Sequence, residues 1–352
     1  MKIGFDAKRF FHNNTGLGNY SRFVVNGLYS LYPENDYHLF SPRAKPNKIQ
    51  VSQNNSFFWR THGIVHEDSF SQLDVYHGLS NELPLSKYSI KSVVTIHDVI
   101  FKQLPSSYSF FDRQLYDYKT NRAIEHADKV VAVSQYTKRQ ILNHYKCSED
   151  KIEVIYQDCD PKFYDEHSID PGIKERYNLP DEFILCVGTI EQRKSQLLLL
   201  KAAKELPYPI VLVGRKGNLW AEIETFLGDN PKLKNLVTVV SNAKFEDFPS
   251  IYRAAKLFVY PSIVEGFGIP VLEAMNCGTP VITTRDTVME EVCGDSCVSF
   301  IRKNYLDLRD KITFLWEHSS QREKLITSGI ERAKLFRKER VLTQLNDLYH
   351  KL

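Results

Sequence analysis

Long hydrophobic runs are missing from this sequence. It has no stretch of about 18 apolar residues, so nothing in it reads as a transmembrane helix. The opening residues, MKIGFDAKRF, lack the apolar segment of a secretory signal and read as a first core strand. Charge of one sign is also lacking. Lys plus Arg is 46 against 43 for Asp plus Glu, a net charge of +3, which argues against a dedicated nucleic-acid binder with its basic stripe. The six cysteines (Cys147, Cys159, Cys186, Cys277, Cys293 and Cys297) show no zinc-ligand spacing. The nearest pair, Cys293 and Cys297, reads as reduced thiols of a cytosolic protein. Low-complexity segments are absent as well.

What is present is an ordinary globular composition, 42% hydrophobic and 25% charged over 352 residues, enough for two domains with separate cores. Short apolar runs alternate with helical patterns. A first set of expected strands lies at 2–6, 37–41, 75–78, 92–98, 129–134 and 152–156. A second lies at 183–188, 209–214, 236–240, 257–262, 280–284 and 297–301. Runs apolar throughout suit strands buried on both faces of a parallel sheet. Helices are expected between them, as at 18–32 and 136–145. The βαβα pattern occurs twice, which predicts two doubly wound α/β domains facing across a cleft. The polar stretch 163–182, with Pro171, Gly172 and Pro180, reads as the linker, giving domains 1–165 and 166–335. The last segment, 336–352, places Val341, Leu342, Leu345, Leu348 and Tyr349 at helical spacing and reads as an amphipathic helix. Ligands of such sheets bind beyond the carboxyl ends of strands, so the residues just after each strand are the ones to read.

The stretch YPSIVEGFGIPVLEAMNCGTPVIT, from Tyr260 to Thr283, carries two acids eight positions apart. A strand ends near Pro261. Gly266 and Gly268 then permit a tight loop, Pro270 suits the first turn of a helix, and Gly278 ends it. Glu265 is thereby expected at the strand's carboxyl end and Glu273 in the helix's first turn. The two do not resemble the acid and base that flank one glycosidic bond. Eight helical residues span about 12 Å and turn through about 80°. They suit two separate clamps for vicinal hydroxyls, with helix amides between them free to take a diphosphate. The plainer alternative is a helix-dipole acid and a solvated loop acid.

Other strand ends hold further candidates. Arg193 and Lys194 follow the strand ending at Gly188 and Thr189; they are either fixed cations for a leaving diphosphate or a surface basic pair. TGLGNY places Gly16 and Gly18 after the first strand, but Ser21 breaks a dinucleotide fingerprint. His97 closes the strand SVVTIHD, in a structural or a catalytic role. Gly214, Arg215 and Lys216 sit at another strand end, beside a nucleotide or in a plain turn. Ser134 reads as a helix N-cap. His77 is a candidate acceptor contact. The aromatic run YSFFDRQLYDY (108–118) reads as core, with contact to a lipid carrier as the other use.

Glu265-Gly-Phe-Gly-Ile-Pro-Val-Leu-Glu273 resembles the E-x7-E signature of the retaining glycosyltransferases of the GT-B fold, family 4. FILCVGTIEQRKSQLLLLKA resembles the start of that family's donor domain, and HGLSNELP, VVTIHDVIF and ADKVVAVSQYTKRQIL resemble its acceptor domain. The likeness runs in order through nearly the whole chain and is nearest to the bacterial mannosyltransferase-like branch. It implies an acceptor-binding Rossmann-like domain over 1–165, with the C-terminal helix packed back on it. A donor-binding domain is implied over 166–335. It implies transfer of a hexose such as mannose from a nucleotide-diphosphate sugar to a glycan or lipid-linked hydroxyl in polysaccharide or glycoconjugate synthesis.

The resemblance also assigns roles. Glu273 would hold the ribose and Lys194 with Arg193 the diphosphate; Glu265 and the loop Gly266, Phe267, Gly268 and Ile269 would hold the sugar. Gly188, Thr189, Gly214 and Arg215 would line the donor. Gly16 and Gly18 would close on its phosphates, and His97 would face the transferred sugar. Thr189 stands where many members carry arginine, which leaves Arg193 to compensate. No Asp-x-Asp site appears beyond DCD at 158–160, so a metal-independent enzyme without a cofactor is expected. The resemblance implies a cytoplasmic protein with room for peripheral contact at the inner face of the membrane. A sugar-nucleotide epimerase or hydrolase, and a non-catalytic sugar-nucleotide binder, are the competing functions.

Overall fold

The computed structural model describes every residue except Asn14, Pro46, Asn55, Ser56, Phe57, Glu166, His167 and Ser168. The chain falls into two compact units, Met1–Asp158 with Phe336–Leu352, and Cys159–Leu335.

The first unit is built on a seven-stranded parallel sheet in the order β3-β2-β1-β4-β5-β6-β7. The strands are β1 (Lys2–Asp6), β2 (Asp36–Ser41), β3 (Gln50–Gln53), β4 (Val75–Gly78), β5 (Lys91–Ile96), β6 (Lys129–Ala132) and β7 (Ile152–Val154). Val93, Val94, Val130 and Val131 are fully buried, because helices cover both faces of the sheet and the inner strands have no wet side. β3 was not legible as a strand. It is a four-residue edge strand of sequence Gln-Val-Ser-Gln, half exposed, and carries no apolar run. The helix Lys338–His350 packs on the helix Gly16–Leu31 and belongs to this unit. Its buried face, Val341, Leu342, Leu345, Leu348 and Tyr349, is the amphipathic stripe of the sequence.

The second unit holds a six-stranded parallel sheet in the order β10-β9-β8-β11-β12-β13. Its strands are β8 (Ile184–Val187), β9 (Ile210–Val213), β10 (Val237–Val240), β11 (Leu257–Tyr260), β12 (Val281–Thr284) and β13 (Val298–Phe300). Both sheets are therefore parallel throughout, as the unbroken apolar runs required.

Three expectations need correction. Much of the stretch 163–182 is not a free linker. Phe163 and Ile173 are buried, the helix Ile173–Tyr177 packs on the helix Phe248–Ala254, and Arg176 and Tyr177 reach Asp247 at 2.8 and 2.6 Å. The polar composition hid a few apolar anchors; Glu166, His167 and Ser168 lie outside the described residues. The run 108–118 is not core. It forms much of the first half of the helix Phe110–His126, and Phe110, Phe111, Leu115, Tyr116 and Tyr118 are exposed. Third, His77 is a core residue with both ring nitrogens engaged, Nδ1 with the Tyr349 hydroxyl at 2.6 Å and Nε2 with Thr95 Oγ1 at 2.8 Å. Burial pushes its pKa down to about 3, so it is a neutral packing residue and not an acceptor contact.

Candidate active site

The order of the second sheet reverses between β8 and β11, and the loops that leave these two strands carry most of the candidates. Such a reversal opens a crevice at the carboxyl edge of a sheet. The chain leaves β8 through Gly188 and Thr189, then makes a single turn of 3-10 helix over Gln192–Lys194 before the helix Gln196–Ala203. Gly214 ends the neighbouring β9 with φ +151, and a Cβ there would stand 2.1 Å from the Gly188 carbonyl oxygen; only glycine lets the two backbones approach so closely. From β11 the chain runs through Pro261 and Ser262 to Glu265. The two loops are tied together, with the Ile263 N–H donating to the Arg193 carbonyl at 3.0 Å.

Glu265 is the centre of this arrangement. Its Oε1 lies 2.6 Å from Lys194 Nζ and 2.5 Å from Arg193 Nη1, and it accepts from Ser262 Oγ at 2.7 Å and from the Tyr260 hydroxyl at 2.9 Å. Burial alone would raise this carboxyl. Lys194 first and then Arg193 outweigh it and hold the pKa down at about 2. Lys194 is lowered from the usual lysine range, by burial first, with Glu265 pulling it back and Arg193 pushing it further down. The two directions agree physically, since one anion is shared by two cations. Lys194 also hydrogen-bonds the Tyr260 hydroxyl and lies over its ring at 4.8 Å. Burial, then Glu265, keeps that hydroxyl protonated and donating. Arg193 Nη2 is held by Glu191 at 2.6 Å, so two acids and two bases pair within the cluster.

Glu273 behaves differently. It lies in the helix Ile269–Asn276, whose N-cap is Gly268, and is the fifth helical residue; the first turn holds no acid. The sequence placed it one step too early because the helix starts at Ile269. The carboxyl is buried and accepts from the Tyr252 hydroxyl at 2.8 Å. Burial raises its pKa to about 7, against the lowering effect of that bond. Phe267 is buried, whereas Ile269 and Gly266 are partly open and Arg215 is exposed. Thr189 offers its carbonyl to Gln196 at 3.0 Å. The pattern of acids and glycines marked this region, but not Tyr260, Ser262 and Tyr252, which hydrogen-bond the two glutamates. The Tyr-Pro-Ser at the end of β11 was the available signal for the first two.

His97, Gly16 and Gly18 belong to the first unit. His97 is buried at the carboxyl end of β5; Nε2 lies 2.9 Å from the Leu79 carbonyl and the ring meets Tyr20 edge-on at 4.6 Å. A carbonyl only accepts, so Nε2 carries the proton and Nδ1 is left as the acceptor. Burial lowers the imidazole to about 4, so it is neutral at pH 7. Gly16 opens the helix Gly16–Leu31 on the surface. Gly18 is buried one turn in, where a Cβ would meet the Asn13 carbonyl oxygen at 1.8 Å. Sequence reasoning missed a cluster beyond β1 and β4, where the order of the first sheet reverses. Arg60 bridges Asp6 at 2.5 Å, Glu82 at 3.1 Å and Ser80 Oγ at 2.7 Å. Ser134 caps the helix Gln135–His144, accepting from the Thr137 N–H at 2.9 Å.

Comparison with known proteins places this geometry in a family. The model of the "Glycosyl transferases group 1" matches residues 173–332, and that of "Glycosyltransferase Family 4" matches residues 30–162. The chain is 29% identical to the O-antigen chain mannosyltransferase B of Escherichia coli over 288 residues, 78% of this chain and 74% of that protein. It is 29% identical over 245 residues to the E. coli serotype-specific mannosyltransferase WbdA, 64% of this chain but only 29% of that longer protein. Among solved structures it is similar in fold to Anabaena HepE in complex with UDP-glucose, with TM-score 0.79, 17% identity and all of both chains covered. It is similar likewise to sucrose-phosphate synthase from Thermosynechococcus elongatus, with TM-score 0.78, 18% identity, and 100% of this chain and 98% of that one covered. With two parallel α/β domains of this topology and both models matched in sequence order, the chain belongs to the family-4-like glycosyltransferases of the GT-B fold.

Proposed function

We propose that this glycosyltransferase is a retaining, metal-independent hexosyltransferase that moves mannose from a nucleotide-diphosphate sugar to a hydroxyl of a growing glycan. The mannosyltransferases among its relatives support the sugar, and the UDP-glucose bound in the HepE complex supports the donor class. The observation that carries the reading is the shared carboxylate oxygen of Glu265, held by Lys194 and Arg193 at the carboxyl edge of β8 and β11.

In this reading the donor diphosphate draws Lys194 and Arg193 toward its own oxygens and lowers the cost of its departure. Glu265, relieved of part of its pairing, accepts hydrogen bonds from sugar hydroxyls. Glu273 holds the ribose diol. The backbone amides at the start of the helix Ile269–Asn276, together with the loop Gly266–Gly268, approach the donor. Gly188, Thr189, Gly214 and Arg215 line the nucleotide. In the same reading, the family resemblance assigns neutral His97 to the transferred sugar and Gly16 and Gly18 to the phosphates. No side chain is required as a covalent nucleophile, because the leaving phosphate deprotonates the acceptor on the same face of the sugar.

The test is direct. Purified protein is given GDP-mannose, UDP-glucose and UDP-N-acetylglucosamine in turn, with mannosyl acceptors, and released nucleotide is measured with and without chelator. The expected result is acceptor-dependent release from GDP-mannose, insensitive to chelator, with an α-linked product by NMR. Release that ignores the acceptor would favour a hydrolase or epimerase; a β-linked product would remove retention.

A further inference from the structure

The helix Phe110–His126 turns apolar side chains outward instead of into the first unit. Phe111 is 83% exposed, Tyr118 54% and Leu115 49%; at i, i+4 and i+7 they share one face. Beside this stripe the helix borders a pocket of ≈ 320 Å³, within the range of roughly 300–1,000 Å³ common to small-molecule sites. Its wall includes Gln114, Tyr118 and Asn121 from the helix, Lys102 from the short helix Ile100–Gln103 that follows His97, and Tyr145 beyond the helix Gln135–His144.

The charges in this pocket cancel. Asp117 accepts from Lys102 Nζ at 2.6 Å and from the Tyr145 hydroxyl at 3.0 Å. What remains for a ligand is the Gln114 amide, the Asn121 amide, one of whose N–H groups donates to Glu125 at 2.7 Å, the His144 imidazole and the Tyr118 ring. Side-chain amides donate and accept in one plane, which matches adjacent sugar hydroxyls, and an exposed ring offers an apolar face to the C–H side of a pyranose. With Lys102 paired to Asp117, no described lining residue offers a fixed, unpaired lysine or arginine, which phosphate and anionic lipid headgroups need.

We propose that this pocket and the Tyr118 ridge form a saccharide subsite, separate from the transfer centre, that grips neutral pyranose residues of the acceptor chain. The identity of that chain rests on the function proposed above; the subsite itself rests on Gln114, Tyr118, Asn121 and the neutral floor beneath them.

The experiment measures binding of α-mannotetraose and of methyl α-mannoside to the full chain by saturation-transfer NMR and titration. It compares the wild type with Tyr118→Ala and with Gln114→Ala/Asn121→Ala, each checked for folding by circular dichroism. The expected result is about tenfold weaker binding of the tetrasaccharide in both variants, with GDP binding unchanged. Wild-type affinity in both variants would overturn the subsite. So would capture of the chain by phosphatidylglycerol vesicles that Tyr118→Ala and Phe111→Ser abolish while saccharide affinity stays the same. Turnover of GDP-mannose in the same samples reads the transfer activity separately. Turnover without Tyr118-sensitive binding removes the subsite alone; Tyr118-sensitive binding without turnover of any sugar nucleotide removes the activity and keeps the subsite.

Discussion

Lys194 and Glu265 meet at a single atom: Nζ stands 2.6 Å from Oε1, the same oxygen that Arg193, Ser262 and Tyr260 reach. A buried carboxylate reached by four donors on one oxygen is strongly held. Two cations are thereby paired with one internal anion.

This pairing sets an acid-stability window. Glu265 has its folded pKa depressed to about 2 from the ordinary 4.5. Its contribution is thus complete above 4.5 and lost as pH falls from there through 2. The shift is worth about 3 kcal/mol by linkage. Glu265→Gln is expected to lower the urea midpoint at pH 7, and the gap to wild type is expected to close by pH 3 to 2. A gap that stays constant across that range would show that the loss comes from packing and not from the charge.

Lys194 gives a kinetic counterpart. Lys194→Ala removes the cation that the diphosphate takes over, and a lost electrostatic donor of this kind costs about 10²–10³ in rate. The expected outcome is a fall of that size in kcat, with nucleotide affinity also weakened. Arg193→Ala, whose guanidinium is partly held by Glu191, is expected to lose less. Equal turnover in wild type and Lys194→Ala would remove Lys194 from the transfer centre.

How much of this was legible in the sequence depends on the kind of force involved. Runs such as VVTI in β5 and ILCV in β8 were plain because strands buried on both faces need unbroken apolar residues. The edge strand Gln50–Gln53 was not, because its backbone ladder and not its side chains makes it a strand. Glu265, Glu273 and Lys194 were legible through the motif that carries them. Their charge states were not, since these come from burial and, for Glu265, from the packing of Lys194 and Arg193 against one oxygen, neither of which the motif displays. Phe110 to Tyr118 misled because composition does not say which face of a helix has a neighbour. His77 misled for the opposite reason: a polar residue at a strand end is silent about the Tyr349 hydroxyl waiting 272 residues on.

That long-range bond is itself testable. Tyr349→Phe keeps the ring and leaves His77 Nδ1 without its partner inside the core. An unsatisfied buried group of this kind costs about 1–3 kcal/mol. The expected result is a lower urea midpoint than that of the wild type at pH 7. An unchanged midpoint would mean that the core relaxes around the lone nitrogen.

The raised carboxyl of Glu273 leads to the sharpest pH prediction. Its folded pKa is about 7 against an ordinary 4.5, so the folded state binds the proton more tightly. The stability it contributes is complete below 4.5 and declines as pH rises through 7; Glu273→Gln is expected to flatten that decline. Binding of a ribose diol, which donates to the carboxylate, favours the ionised form and drives the proton off. Calorimetric titration of GDP or UDP near pH 6.5, in buffers of different ionisation enthalpy, is expected to show net proton release in the wild type. Glu273→Gln is expected to show less, together with weaker binding. Proton release that is identical in the two proteins would place the titrating group elsewhere and detach Glu273 from the ribose.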